Sequence, residues 1–347
     1  MKMKNRIVII DWMKAICAIF VIMAHSLHTN LADQTNIFFL LSIENPVPVF
    51  MILSGLTFTL KYNEYTLSCM FDLKDIIKKI LRFTIPMLFA YFAYLIYLGF
   101  QGKLSLYNAI KTLVICDFGK GAYYYALMIE FIFIAPFIFV VIRKMQGKGV
   151  FVIAGINLVF EILCRLVSLR ISVYRVLIFR YLTMIGCGMY AFYLLKNKDG
   201  LKFKWIDKIL ILTSFSIGVF YKLLPHFGYT YHLFISKLWG RTSMISALYV
   251  FPLVMYVLFR CEGCRYISKF NFAWGVGMVG QASYHIMYAQ MVYFVYRPVF
   301  DKYIFDVKKV GMPIEIIINL IVCLFFGVCF FLIDKKFLTG KIIHKGS

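Results

Sequence analysis

The chain has 347 residues, 62% of them hydrophobic, with a mean hydropathy of +0.81 and a formal net charge of +22. Soluble domains are nearer half apolar, so composition excludes an ordinary soluble globule and points to a membrane protein. The basic residues fall between apolar runs and form no stripe on a soluble domain. That distribution argues against nucleic acid and for membrane topology and contact with anionic lipid heads.

Apolar runs of about 18 to 24 residues recur from end to end, near 6–27, 44–61, 80–100, 121–142, 149–167, 176–195, 207–224, 242–260, 275–296 and 312–334. They predict an all-α, polytopic integral membrane protein of about ten transmembrane helices, with 1–347 read as a single transmembrane domain. A surface helix is predicted at 105–115 and a second at 70–79. The first run is read as a retained span: it is long, it carries ionisable residues, and no small-residue cleavage site closes it. Ten spans put both termini on one side. With the N-terminus inside, that side carries 23 Lys and Arg against 13 on the other, and residues 28–43 carry none. Both termini are therefore expected in the cytoplasm. Of the nine cysteines, Cys261 and Cys264 form a lone CEGC. A zinc site needs a second pair, so no metal is expected.

The first run raises the sharpest question. Residues 11–27, DWMKAICAIFVIMAHSL, place Asp11, Lys14 and His25 in an otherwise apolar helix. Lys14 and His25 differ by only ~20° around the helix and ~16 Å along it, and Asp11 lies within ~40° of His25. Such residues face a cavity or the bundle interior. One reading is an Asp11–Lys14 ion pair with a histidine near the outer interface. The other is a polar tunnel with a cation at its inner end and a titratable imidazole further out. A tunnel of that kind suits a long anionic cofactor such as coenzyme A, whose phosphates bind Lys and Arg.

Further motifs follow in chain order: PVPVFMILSGLTF (46–58), KKILRFTIP (78–86), YYYALMIEFIFIAPFI (123–138), FRYLTMIGCGMYAF (179–192) and GQASYHIMYAQ (280–290). Together with Arg6, Asp11 and the Lys14–ten residues–His25 spacing, they resemble the membrane-bound acyltransferase-3 family across nearly the whole chain. Lys14 stands where Arg is commoner in that family, and Gln290 where many members have His. The resemblance implies a bacterial inner-membrane O-acyltransferase. Such enzymes move an acyl group, most often acetyl from cytoplasmic acetyl-CoA, onto a hydroxyl of an envelope polysaccharide or lipid-linked sugar. No segment reads as an added hydrolase-like domain, so the membrane part is expected to complete the transfer.

On that reading His25 is the catalytic base, or carries the acyl group itself, and Asp11 orients or pairs Lys14. Lys14, Lys79 and Arg82 are candidates for the donor's phosphates. Arg180, inside a span, is a candidate for phosphate or for the thioester oxyanion. Glu130, Ser54, Tyr284 and Tyr288 are candidates for the acceptor sugar. Ser54-Gly55 lacks the nucleophile-elbow pattern and is better read as close helix packing or a polar wall. Glu161 and Arg165 are read as a structural pair. The partners implied are acyl-CoA, a glycan or lipid-linked sugar, and membrane lipids. A transporter or exporter without CoA chemistry is the alternative, because a polar stripe also lines substrate paths, although no internal repeat is visible. A non-catalytic partner of a polysaccharide synthase is the third reading. The acceptor sugar, the acyl length and the oligomeric state are not legible.

Overall fold

The computed structural model describes residues 8–26, 45–197, 204–223, 244–261, 271–303 and 312–337. Arg6, the 28–43 loop and Cys264 lie outside them. In lipid every backbone N–H and C=O must be met within the segment, and the described residues are helical with no strand. Each of the ten apolar runs contains a helix. Six helices among the described residues are long and apolar enough to cross a membrane. The chain is a multi-pass helical membrane protein.

The helices are α1 (Val8–Ser26), α2 (Pro46–Tyr62), α3 (Leu67–Met70), α4 (Leu73–Phe100), α5 (Leu106–Val114), α6 (Tyr123–Met145) and α7 (Gly147–Leu166). Then come α8 (Ile171–Val176), a 3-10 turn (Ile178–Tyr181), α9 (Leu182–Lys196), α10 (Lys204–Leu223), α11 (Ser246–Cys261), α12 (Asn271–Tyr303) and α13 (Met312–Phe337). Two expectations change. The surface helix at 70–79 is not separate, because α4 starts at Leu73 and runs unbroken through Pro86. Helix α12 extends to 33 residues yet is not among the six, because Gln281, Ser283, His285 and Gln290 dilute its apolar face. The surface helix at 105–115 is α5. It is capped by Ser105, whose Oγ accepts the Asn108 N–H at 3.1 Å, and it has no buried residue.

The helices fall into two compact units. The first holds α1, α4, α5, the first turns of α6, α12 and α13. Its contacts define directions. Gly280 packs on the Asp11 backbone and Phe294 meets the His25 ring, an offset of 269 residues both times, so α1 and α12 run parallel. Tyr284 donates to the Phe83 carbonyl (3.1 Å) and Tyr296 to that of Ala93 (2.7 Å), so α4 runs parallel to α12 as well. Helix α13 is antiparallel to α12: Arg297 pairs with Glu315 and Tyr293 with Asn319 (2.7 Å), four residues back on one helix and four forward on the other. Ala18, Ile22, Ala282, Ile286 and Cys323 form the buried centre. Ile317, Ile321, Phe325 and Leu332 make an exposed apolar stripe on α13, as a lipid-facing side requires.

The second unit holds α2, α3, the rest of α6 and α7 to α11. Its closest crossing joins α2 and α9. A Cβ at Gly55 would strike the Ile185 carbonyl, and one at Gly188 the Ile52 carbonyl. Small residues let two backbones approach this closely. Phe58 packs edge-on against Phe131 and Phe139 of α6. Tyr249 of α11 donates to Asn45 Oδ1 (2.9 Å) and accepts Ser214 of α10 at its carbonyl (2.6 Å).

Candidate active site

The two offsets sort the first unit into layers. Lys14 of α1 and Arg82 of α4 both fall on the level of Ser283, and Asp11 and Lys79 both fall on the level of Gly280. Four sequence candidates thus share one end of the unit. Asp11 is buried and Lys14 half-buried. Lys79 pairs with Asp75 at 3.0 Å, and Arg82 is exposed. Tyr284 and Tyr288 share a 2.7 Å hydrogen bond in the same region.

His25 lies eleven residues further along α1. Its ring stands edge-on to Phe294 at 6.2 Å, and its carbonyl accepts from Lys120 Nζ at 3.3 Å. Lys120 also sits over the Phe294 ring at 5.5 Å. It belongs to an irregular segment, 115–122, in which Cys116, Gly119 and Gly121 take φ of 48°, 153° and 97°. Phe118 and Ala122 in this segment are fully buried. Gly119 lies against Met291 and Val295, and Gly121 against Met287. Irregular backbone inside a membrane protein is tolerated where protein buries it or where it lines a wet cavity. Burial and the nearby Arg297 push the Lys120 ammonium below the usual lysine range.

Between these layers the α1 stripe is closed. Ala18 and Ile22 occupy it and pack on Ala282 and Ile286. The stripe faces the bundle interior as expected, but apolar side chains fill it midway.

The candidates in the second unit have structural partners. Glu130 Oε2 accepts the Ile178 N–H at 2.6 Å, which caps the 3-10 turn. Arg180 is buried with its guanidinium over Tyr174 and Tyr181, at 4.6 and 4.8 Å. Tyr174 donates to Glu161 Oε1 at 2.7 Å, so Glu161 is tied to α8. Asn157 Oδ1 accepts Thr183 Oγ1 at 3.0 Å. Ser54 immediately precedes Gly55 of the α2–α9 crossing.

No family model, curated protein or solved structure matches this chain.

Sequence reasoning missed three features of the first unit. One is Lys120, flagged only by the glycines on either side of it. A second is the buried Arg297, 2.6 Å from Glu315 and 3.4 Å from Asp301. The third is His285 Nε2, 2.9 Å from Asp334 in a shell that includes Phe330 and Phe331. Glu315 and Asp334 are acids inside the last apolar run, and that rarity was the available signal.

Proposed function

We propose that the protein is a membrane O-acyltransferase of the acyltransferase-3 type, with ten spans and both termini in the cytoplasm of a bacterial cell. The observation that carries this reading is the layering of the first unit: Lys14, Lys79 and Arg82 at one end, His25 with Lys120 eleven residues further on. The parallel run of α1, α4 and α12, with α13 reversed, supports alternation of ten spans. Cytoplasmic acyl-CoA, most simply acetyl-CoA, binds by its phosphates to the cationic end and extends its thioester toward His25, which requires the Ala18, Ile22, Ala282 and Ile286 packing to part and admit the arm. The acceptor is a hydroxyl of an envelope polysaccharide or lipid-linked sugar arriving from the other side. His25 takes the hydroxyl proton as that oxygen attacks the thioester carbonyl. The C–S bond breaks and the proton passes to the departing thiolate, leaving an ester and free CoA thiol.

The test is acetyl-CoA binding and slow thioester cleavage by purified wild type, His25→Ala and Lys14→Ala. Wild type is expected to bind and cleave, His25→Ala to bind without cleaving, and Lys14→Ala to bind poorly. Failure of all three to bind any acyl-CoA overturns the proposal.

A further inference from the structure

Gln290 is fully buried in α12, and neither its Oε1 nor its Nε2 has a hydrogen-bond partner among the described residues. Native structures leave few such groups, and each calls for an account, such as a water or a ligand that meets it. At bilayer depth the need is greater, because lipid offers no hydrogen bond.

Position decides what that partner is. On the α12 wheel Gln290 lies one turn from Ile286 and one turn from Phe294, between the two. Ile286 packs on Ala18 and Ile22, and Phe294 meets the His25 ring. Ile286 also meets Gly327 of α13, so position 290 lies on the side of α12 turned toward α1 and α13. The 269-residue offset puts it at the level of Val21, four residues or ~6 Å on the Lys14 side of His25.

We infer that Gln290 is the hydrogen-bonding station for a secondary amide in the extended arm of the acyl donor. The inference rests on the acyl-CoA reading above and adds to it the group that the protein recognises between phosphates and thioester. In an acyl-CoA two methylenes separate the thioester sulfur from the first amide of the arm, a reach of about 5 Å. Once the Ala18, Ile22, Ala282 and Ile286 packing parts to admit the arm, a thioester carbonyl held at His25 brings that amide to the level of Gln290. Nε2 donates to an amide carbonyl of the arm, and Oε1 accepts an amide N–H. Thioesters without amides leave both atoms unmet, so the station selects pantetheine-bearing donors over simple acyl thioesters.

The experiment compares wild type with Gln290→Met, which keeps the length and loses the hydrogen bonds, as purified full-length protein. The readouts are the ligand-free melting temperature, the affinity for acetyl-CoA, and the affinity for adenosine 3′,5′-bisphosphate, which carries nucleotide phosphates but no arm. The variant is expected to melt no lower than wild type, because an unsatisfied amide has been replaced by an apolar group of similar shape. It is expected to bind acetyl-CoA about tenfold more weakly and the bisphosphate equally well. Gln290→Asn, one methylene short, is the second probe and is expected to weaken acetyl-CoA alone. Unchanged acetyl-CoA affinity in Gln290→Met overturns the inference. So does a lower melting temperature with unchanged affinity, which marks a structural water at the amide, or an equal loss for the bisphosphate. Wild type that binds no acetyl-CoA overturns the function proposal and this inference with it.

Discussion

Arg297 shows how a single ion governs stability in the first unit. It is 4% exposed, and its guanidinium meets Glu315 at 2.6 Å. Replacing it alone takes the cation from two carboxylates, Glu315 and Asp301, a loss of about 3–5 kcal/mol. Arg297→Met is therefore expected to lower the melting temperature strongly. The triple variant Arg297→Met, Glu315→Met, Asp301→Asn is expected to recover most of that loss, read by thermal unfolding in detergent. Lys120 is a different case, because its bond is to the His25 carbonyl and not to an acid. Its lowered pKa means that the ammonium is present below that value and is lost as pH rises through it. On the proposed function, transfer should then fall on the alkaline side earlier than a free lysine would dictate. Lys120→Arg, which keeps its proton, should push that limb to higher pH in a pH–rate profile.

Glycines set the elements that touch most closely. Gly188 meets the Ile52 carbonyl and Gly280 meets the Asp11 backbone, so a methyl at either position forces the helices apart. Gly188→Ala and Gly280→Ala are each expected to cost about 1–3 kcal/mol. Gly155, mid-helix in α7 with nothing within 4 Å, is the contrast. Gly155→Ala is expected to stabilise by about 0.5–1 kcal/mol, and melting curves of the three variants decide. The positions of the helices were legible because apolar runs at bilayer depth have one way to satisfy their backbone. The ends of α4 and α12 were not, since polar turns continue these helices past the apolar part. The Asp11–Lys14–His25 stripe was legible from its scarcity of charge. Its closure by Ala18 and Ile22 was not, because the periodicity that aligns the polar residues aligns those two as well. The irregular 115–122 segment was invisible: CDFGKGA carries turn residues but nothing that marks depth. Glu130 and Arg180 stood out for the right reason, as charges in apolar runs, while their partners Ile178, Tyr174 and Tyr181 depended on tertiary contacts.

Orientation is a property of the whole molecule and can be tested on exposed lysines. The proposed topology puts Lys103, after α4, outside, and Lys148, at the start of α7, inside. In a Cys69→Ser background, Lys103→Cys is expected to react with a membrane-impermeant thiol reagent in intact cells, and Lys148→Cys only after lysis. The reverse pattern overturns the orientation.

The parallel pairing of α1 with α12 has a consequence for biogenesis. The two meet at an offset of 269 residues, so α1 leaves the ribosome long before its partner exists. At ordinary synthesis speeds the wait is about 15–50 s. Through that interval Asp11 and His25 have no α12 to cover them, and a charged helix in bare lipid is costly. Nascent chains cut short before α12 therefore carry an unsheltered first helix, which makes them natural clients of insertion chaperones and quality-control proteases. The contact between α1 and α12 thus forms late in synthesis, with only α13 still to follow.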